Sequence, residues 1–399
     1  MPADSRQDPV RVATLGLGVL GGLALMGVSF YLTLTQTAAS DLAGFDAALR
    51  AATSHLGCPY SRTVQFAAAR GVPGLATPAR AGLLIWHFNE PLAATWPLYP
   101  LLHLPITDTV WIWQTASVAA LAGAAALLWR DRGALPPLLT GAVIVALLCN
   151  EGAGYGLALG QDDSFLLLAM LCGLACLRRG RDWPAGLAFG IVALKPQLIF
   201  LVFVTCAFQR RWRACAGMAA ATAVLWGASV AAVGPACAAT WLRTASAPDQ
   251  LQIGVGLPVT LARLTQARAP AEALFAVLTA AAVAVAWRLR HLDAELLASM
   301  AVAGALIIGL HTLLYDLVFL APLGMKLARR HPLAVFAGGW LITVAYFLDI
   351  WTGWNTRSAV RLTTLIPVAL TVAAMIAVTR SPDHGGGNAM PPAIAAAGG

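Results

Sequence analysis

Long apolar runs alternate along the chain with short polar segments that are rich in arginine. About 20 apolar residues in a helix cross a hydrocarbon core of roughly 30 Å, and a helix satisfies its own backbone hydrogen bonds where water is excluded. The pattern therefore predicts an all-α polytopic membrane protein with about 10–12 membrane segments, some of half length. The predicted segments are 12–34, 110–128, 138–148, 164–177, 186–208, 216–233, 271–287, 294–310, 312–325, 334–349 and 362–379.

The basic residues between these runs predict the orientation of the chain. Cytoplasmic loops of membrane proteins carry an excess of lysine and arginine. With the basic clusters inside, residues 37–107 form a long first extracytoplasmic loop and residues 236–268 form a second. The clusters are Arg130 and Arg132; Arg178, Arg179 and Arg181; Arg210, Arg211 and Arg213; Arg288, Arg290 and His291; and Lys326, Arg329 and Arg330.

One conflict in this orientation points to a broken helix. The basic clusters on either side of residues 186–208 both belong inside, yet a single apolar run separates them. Proline disfavours helix at the residue before it and removes a hydrogen-bond donor, so Lys195-Pro196 is the expected break. Each arm has about 11 residues, roughly 16 Å of helix, which reaches the bilayer midplane. Since broken helices at that depth are buried in protein or line a cavity, we expect a helical hairpin that marks a cavity.

Composition and charge agree with this reading. The chain is 59% hydrophobic and 11% charged, and its net charge of +8 lies largely in the arginine loops, so nucleic acid is not an expected partner. We expect residues 1–380 to form one membrane domain and residues 381–399 a flexible cytoplasmic tail. Seven scattered cysteines lack metal-ligand spacing. Cys58 and Cys237 both fall in outer loops, where they either pair or remain free.

The first outer loop contains a candidate general base. Ser40 is a good N-cap, and apolar residues at helical spacing over 42–56 predict an amphipathic helix on the outer membrane surface, stopped by Gly57. Asp41 falls in the first turn, where the helix dipole favours an ionised carboxylate able to act as a base. Asp46 lies about 140° around the helix and forms no pair with it. The alternative is that both acids are ordinary capping and surface residues.

A second candidate is the sequence Gln161-Asp162-Asp163 before an apolar run. These side chains either cap the helix, hydrogen-bond sugar hydroxyls or hold a metal ion, although two carboxylates alone are a weak metal signal. We therefore assign no metal and no cofactor.

Lys195 is the most informative charge inside the membrane. An ionised lysine at mid-bilayer costs about 2.5–3.5 kcal/mol or more, so it requires an anionic partner or a wet cavity. A lipid phosphate would satisfy it, as would a distant aspartate such as Asp316. The alternative is a lysine that snorkels to the surface, which the half-length arms disfavour.

A third group of polar residues follows at 311–316. His311 and Tyr315 are expected to share a helical face at i, i+4, with Asp316 beside them. A histidine, a phenol and a carboxylate at an outward membrane mouth suit a phosphate or sugar site. A polar collar that closes a tight turn is the other interpretation.

Several short motifs together resemble a known family. They are Asp41-Leu42 with Phe45, Gly57 and Pro59-Tyr60; Gly160-Gln161; Gly186 with Lys195-Pro196-Gln197 and then Arg210-Arg211-Trp212; and Tyr315-Asp316. In this order they are similar to the GT-C glycosyltransferases of family 87, which include polyprenol-phosphate-mannose-dependent α-mannosyltransferases. The resemblance spans residues 12–350. The chain departs from the family pattern at Phe45, usually a tyrosine, and at Asp162-Asp163, usually a hydrophobic residue and asparagine.

The resemblance implies a GT-C-type helical bundle in the inner (plasma) membrane, with an active site facing the periplasm or exterior. It implies inverting transfer of a sugar, with mannose as the first candidate, from a polyprenyl-phosphate donor to a lipid or glycan acceptor. The family's catalytic aspartate falls here on Asp41. Lys195 and His311 are then candidates for the donor phosphate, and Gln161, Asp162, Asp163, Tyr315, Asp316 and Asp46 for the sugar or acceptor.

Two other classes remain open at this stage. A transporter or a lipid or oligosaccharide flippase also needs broken helices and a buried charge, but such proteins usually carry repeated halves. Here the acid-bearing first loop is unrepeated. A scaffold without catalytic activity is the third interpretation.

Overall fold

The computed structural model describes residues 16, 18–24, 27, 40–54, 56–70, 90–245, 254–351 and 362–379. These residues form α-helices and two 3-10 helices and contain no strand, which confirms the predicted all-α class. Most of the predicted first span, 12–34, and the whole tail, 381–399, lie outside the described residues.

The helices follow the predicted order. They are α1 (Ser40–Thr53), α2 (Arg62–Ala69), the first 3-10 helix (Leu92–Leu101), α3 (Ile106–Arg130), α4 (Pro137–Leu148), α5 (Glu151–Leu159), α6 (Asp163–Arg178), α7 (Asp182–Val192), α8 (Pro196–Phe208), α9 (Trp212–Val233), α10 (Pro235–Ala245), α11 (Leu257–Thr265), α12 (Arg268–Arg288), α13 (Ala294–Ile308), the second 3-10 helix (Leu314–Leu320), α14 (Ala321–Ala328), α15 (Pro332–Trp351) and α16 (Leu362–Thr379).

Several of these helices are suited to a bilayer. Among the described residues, α3, α9 and α12 are long and apolar enough to cross it, and α4 with α5 makes a fourth candidate if this pair, bent by 51°, is taken as one span. Helix α5 lies between two of the predicted membrane segments, 138–148 and 164–177. It forms because the Asn150 side chain accepts a hydrogen bond from the Ala153 N–H at 3.2 Å, and it ends at Gly160, whose φ is +78°.

The predicted break at Lys195-Pro196 is present. Helix α7 has 11 residues and α8 has 13, and Pro196 is the first residue of α8. The two arms form a hairpin, because Asp182 at the start of α7 pairs with Arg211 just beyond the end of α8. Helix α9 then runs beside α7, so close that a Cβ on Gly186 would collide with the carbonyl oxygen of Ala214.

The basic loops meet at the other end of the bundle. Lys326 Nζ lies 2.9 Å from Glu295 Oε2, and Arg178 Nη1 lies 3.2 Å from Glu295 Oε1. Asp131 pairs with both Arg178 and Arg329. Helix α6 runs for about 24 Å between this ion-pair network and the acidic residue at its own first position, Asp163. The two charged ends of α6 are therefore separated by nearly the thickness of a hydrocarbon core.

Helix α1 does not lie on the outer surface as expected. All residues from 42 to 49 are buried within the protein, and the helix ends at Thr53, before Gly57. Of the predicted apolar stripe (Leu42, Phe45, Leu49, Ala52 and Leu56), the first three are buried by protein and Ala52 is half-buried, whereas Leu56 lies beyond the helix and is exposed. The opposite side of the helix packs closely on α2 because its residues there are small alanines. The prediction of a surface helix was wrong because the small alanines opposite the apolar stripe allow protein to pack on both sides of α1.

The outer-loop cysteines form a disulfide. Cys58 lies between α1 and α2, Cys237 lies in α10, and their Cα atoms are 5.4 Å apart. The other five cysteines are free. The bridge connects the segment that carries Asp41 with the helix that follows α9.

Thiol labelling tests this bridge. We expect a maleimide-polyethylene glycol to modify five thiols in SDS without reductant, and two more after reduction. Cys58→Ser is the matched control, since it releases Cys237 and adds one labelled thiol without reduction. Labelling of all seven cysteines in unreduced, freshly isolated membranes would show that the bridge does not form.

Candidate active site

The starts of several helices meet at one place and carry most of the acidic residues there. Asp41 lies in the first turn of α1, Asp163 in the first turn of α6, and Asp316 in the first turn of the second 3-10 helix. Lys195 occupies the N-cap position of α8. Helix N-termini carry partial positive charge, so carboxylates are stabilised there.

Lys195 is the centre of this cluster. Its Nζ lies 2.7 Å from Asp163 Oδ1, 3.0 Å from Asp316 Oδ1 and 3.9 Å from Asp162 Oδ1, and 4.6 Å from the centroid of the Tyr315 ring. The residue is 5% exposed. Asp316 is therefore the partner expected from the sequence, and Asp163 is a second partner that the sequence did not indicate. The snorkelling alternative is excluded.

Asp41 is connected to this cluster through the residue before Asp162. Gln161 Nε2 donates a hydrogen bond to Asp41 Oδ2. An amide donor and a helix N-terminus both favour the ionised form of a carboxylate. Tyr155 of α5 extends the site, because its ring stacks on the Tyr315 ring with centroids 6.3 Å apart.

The site has more buried acceptors than donors. Within the described part of the chain, both carboxylate oxygens of Asp162 are buried without a hydrogen bond, as are Asp163 Oδ2, Gln161 Oε1 and Glu90 Oε2. A buried acceptor without a donor costs free energy, and a ligand rich in O–H groups would supply the missing donors. The arrangement is therefore chemically suited to a polyhydroxylated ligand beside a lysine.

Glu90 is a site residue that sequence reasoning missed. Burial raises its pKa well above the usual value, and the neighbouring Asp162 raises it further. The signal in the sequence was weak, because Glu90, which precedes Pro91, is an isolated acidic residue in a long loop of mixed polarity.

Asp46 takes no part in the cluster, although the sequence made it a candidate. Its Oδ2 accepts a hydrogen bond from Arg50 Nε at 3.0 Å, and Arg50 also donates to the carbonyl oxygen of Leu102. Burial raises the pKa of Asp46, and the hydrogen bond and charge of Arg50 offset part of that rise. Asp46 therefore pairs with Arg50, which connects α1 to the segment after the first 3-10 helix.

The expected helical face shared by His311 and Tyr315 is wrong. Helix α13 ends at Ile308, and the 3-10 helix begins only at Leu314, so half-buried His311 lies in the turn between them. The turn is fixed by Asp316, whose Oδ2 accepts the Leu313 N–H at 2.7 Å. Tyr315 and Asp316 both reach Lys195, as described above.

Metal binding has no geometric support in the part of the chain that the structure describes. No group of three or more His, Cys, Asp or Glu side chains there is placed to hold a metal ion. The Lys195 ammonium already lies among the aspartates.

Comparison with known proteins gives one match. The sequence model described as glycosyltransferase family 87 matches residues 88–315, more than half of the 399 residues. The matched range contains Glu90, Gln161, Asp162, Asp163, Lys195, His311 and Tyr315, and it leaves out Asp41. No curated protein and no solved structure matches the chain.

Proposed function

Since the chain belongs to glycosyltransferase family 87 and is therefore a membrane glycosyltransferase, we propose that it uses a polyprenyl-phosphate sugar as donor. The sugar, with mannose as the first candidate, passes to a hydroxyl of a lipid or glycan acceptor on the extracytoplasmic face of the inner (plasma) membrane. The observation that carries this proposal is the buried ion pair of Lys195 with Asp163 and Asp316 at the tip of the hairpin, connected through Gln161 to Asp41. The fold is then of the GT-C type.

Asp41 is the base in this proposal. The acceptor O–H gives its proton to Asp41, and the acceptor oxygen forms a bond to the anomeric carbon. The bond from that carbon to the phosphate oxygen breaks, and its electron pair leaves with the lipid phosphate. One displacement of this kind inverts the anomeric configuration. A charged carboxylate held by an amide donor suits proton acceptance.

Lys195 is the proposed donor-phosphate contact. An ammonium has three N–H donors, and two of them are directed at Asp163 and Asp316. The third remains for an oxygen of the leaving phosphate, where a cation stabilises the developing charge. Tyr315 and Asp316 hold the lysine in position, and His311 is a second candidate for the phosphate.

The acceptor atoms without hydrogen bonds are the proposed sugar contacts. Asp162, Asp163 and Gln161 would accept hydrogen bonds from sugar hydroxyls. Asp46 is left out of this proposal because Arg50 satisfies it.

The disulfide supports the proposed orientation. Disulfides persist in oxidising compartments and are rare in the cytosol. Cys58 follows the helix that carries Asp41, and Cys237 lies in α10, the helix after α9. On this ground we propose that the Asp41 end of the bundle faces the extracytoplasmic side and that the Asp131 network faces the cytoplasmic side.

A transfer assay tests the proposal. Purified protein in nanodiscs, given polyprenyl-phosphate [¹⁴C]mannose and a lipid extract of the host membrane as acceptor, should produce a labelled product other than free mannose. The parallel reaction with a nucleotide-linked mannose should give none. Transfer from the nucleotide sugar would contradict the proposed donor class. So would the absence of transfer from every polyprenyl-phosphate sugar in a panel of hexoses and pentoses.

A further inference from the structure

Glu90 is held firmly beside the cluster. It stands just before the first 3-10 helix. The first two residues of that helix are held by side chains from two other parts of the chain. The Tyr60 hydroxyl accepts the Leu92 N–H at 3.0 Å, and Ser229 Oγ accepts the Ala93 N–H at 2.9 Å. Glu90 Oε2 is buried and receives no hydrogen bond from any described residue. If Glu90 were ionised, this oxygen would carry negative charge without a hydrogen-bond donor, which is costly in a buried position.

Most of the charges that face Glu90 oppose its ionisation. The charges that face it are Asp162 and Asp163 at the start of α6, Asp41 on α1, and Lys195 at the hairpin tip. Burial and the three aspartates raise the pKa of Glu90, and only Lys195 lowers it. The neutral acid is therefore the favoured form.

Asp41 and Glu90 have opposite environments within one site. Asp41 has an amide donor and a helix N-terminus, both of which favour a negative charge. Glu90 has neither. Where the surroundings of two carboxyl groups keep one ionised and the other protonated, the two groups take different chemical roles. The surroundings of Asp41 favour a carboxylate, whereas those of Glu90 favour the protonated acid.

An anionic donor needs a neutral group at this place. The aspartates around Lys195 exceed its single positive charge, and a phosphodiester would add another negative charge. An ionised Glu90 would repel it further, whereas a protonated Glu90 offers an O–H donor.

We propose that Glu90 acts as a neutral carboxylic acid whose O–H donates a hydrogen bond to the phosphate of the lipid-linked donor. This inference rests on the proposed function. Glu90 keeps its proton throughout the reaction, since the acceptor's proton goes to Asp41 and the leaving phosphate departs as an anion.

The test is the pH dependence of lipid binding. The probe is polyprenyl methyl phosphate, a phosphodiester without a sugar whose single charge does not titrate near neutral pH. We expect its Kd for the wild-type protein to rise at alkaline pH. Once Glu90 has lost its proton, Glu90 must be protonated again before the lipid binds, so the Kd should rise by up to about tenfold per pH unit. Glu90→Gln, which keeps a neutral donor, should bind as the wild type does at acidic pH and lose the pH dependence. Glu90→Ala should bind weakly at every pH.

Glu272→Gln is the matched control, since Glu272 is an exposed partner of Arg268 on α12. It should behave as the wild-type protein does. Thermal unfolding of each variant identifies loss of fold. The inference is overturned if Glu90→Gln remains folded but fails to bind, if it keeps the wild-type pH dependence, or if the wild-type protein binds no phosphodiester.

Sugar transfer is measured separately. Binding that follows the expected pattern without any transfer overturns the proposed function alone, and transfer with a pH-independent Kd overturns the role of Glu90 alone.

Discussion

Asp41→Asn is expected to lower the rate of sugar transfer by about 10²–10⁴-fold, the usual contribution of a general base. The asparagine side chain has nearly the same shape and can still contact Gln161, so the fold and donor binding should be kept. Only the ability to accept the acceptor's proton is lost. The measurement is the initial rate of label transfer at saturating donor, together with thermal unfolding and the Kd for polyprenyl methyl phosphate.

Asp108→Asn is the matched control for this variant. Asp108 also lies in the first turn of a helix, α3, but it is exposed. The Asp108→Asn variant should therefore transfer sugar at the wild-type rate. If Asp41→Asn transfers sugar at the wild-type rate, Asp41 is not the base. Since the family match begins at residue 88, Glu90 would then be the next carboxyl group to test for that role.

Lys195→Met is expected to reduce the free energy of unfolding by about 3–5 kcal/mol, the usual cost of removing one partner from a buried ion pair. Lys195 is 5% exposed and Asp316 is 1% exposed, so water cannot easily replace the lost contacts. Asp163 and Asp316 would each lose a hydrogen bond from the ammonium. The measurement is unfolding in mixed micelles, followed by tryptophan fluorescence.

The triple variant Lys195→Met, Asp163→Asn, Asp316→Asn separates charge from packing. It neutralises the two aspartates that are hydrogen-bonded to Lys195 and should recover part of the lost stability. Arg213→Met, an exposed cation near the start of α9, is the control and should leave stability within about 0.5 kcal/mol of wild type. Equal unfolding of Lys195→Met and the wild-type protein would mean that the buried ion pair does not stabilise the fold.

The hairpin could be predicted from the sequence because it follows from local chemistry. The arginine clusters before and after residues 186–208 require an even number of crossings, and Pro196 identifies the break. Helix α1 was predicted as an element, but its surroundings were not. A stripe of leucine and phenylalanine is the same whether lipid or protein covers it, and only the packing of Ala47 against α2 decides the question.

The site could be predicted only in part, because its contacts join distant parts of the chain. Asp316 was proposed as the partner of Lys195, since a buried lysine requires an anion. Nothing local indicates that Asp163 is also in contact, 32 residues away, or that Glu90 belongs to the site. The helical face proposed for His311 and Tyr315 failed because an i, i+4 spacing predicts proximity only where the backbone is helical, and here a turn begins at Gly309.

The glycine contacts between the hairpin and its neighbour bear on how the proposed lipid donor would reach the site. Gly190 and Gly217 lie so close to the opposite helix that an added Cβ would meet its backbone, so the backbones of α7 and α9 are in direct contact at this seam. This seam is closely packed and leaves no opening for a chain. Under the proposed function, the long-chain donor would therefore enter beside other elements, such as those around Asp41 or the second 3-10 helix.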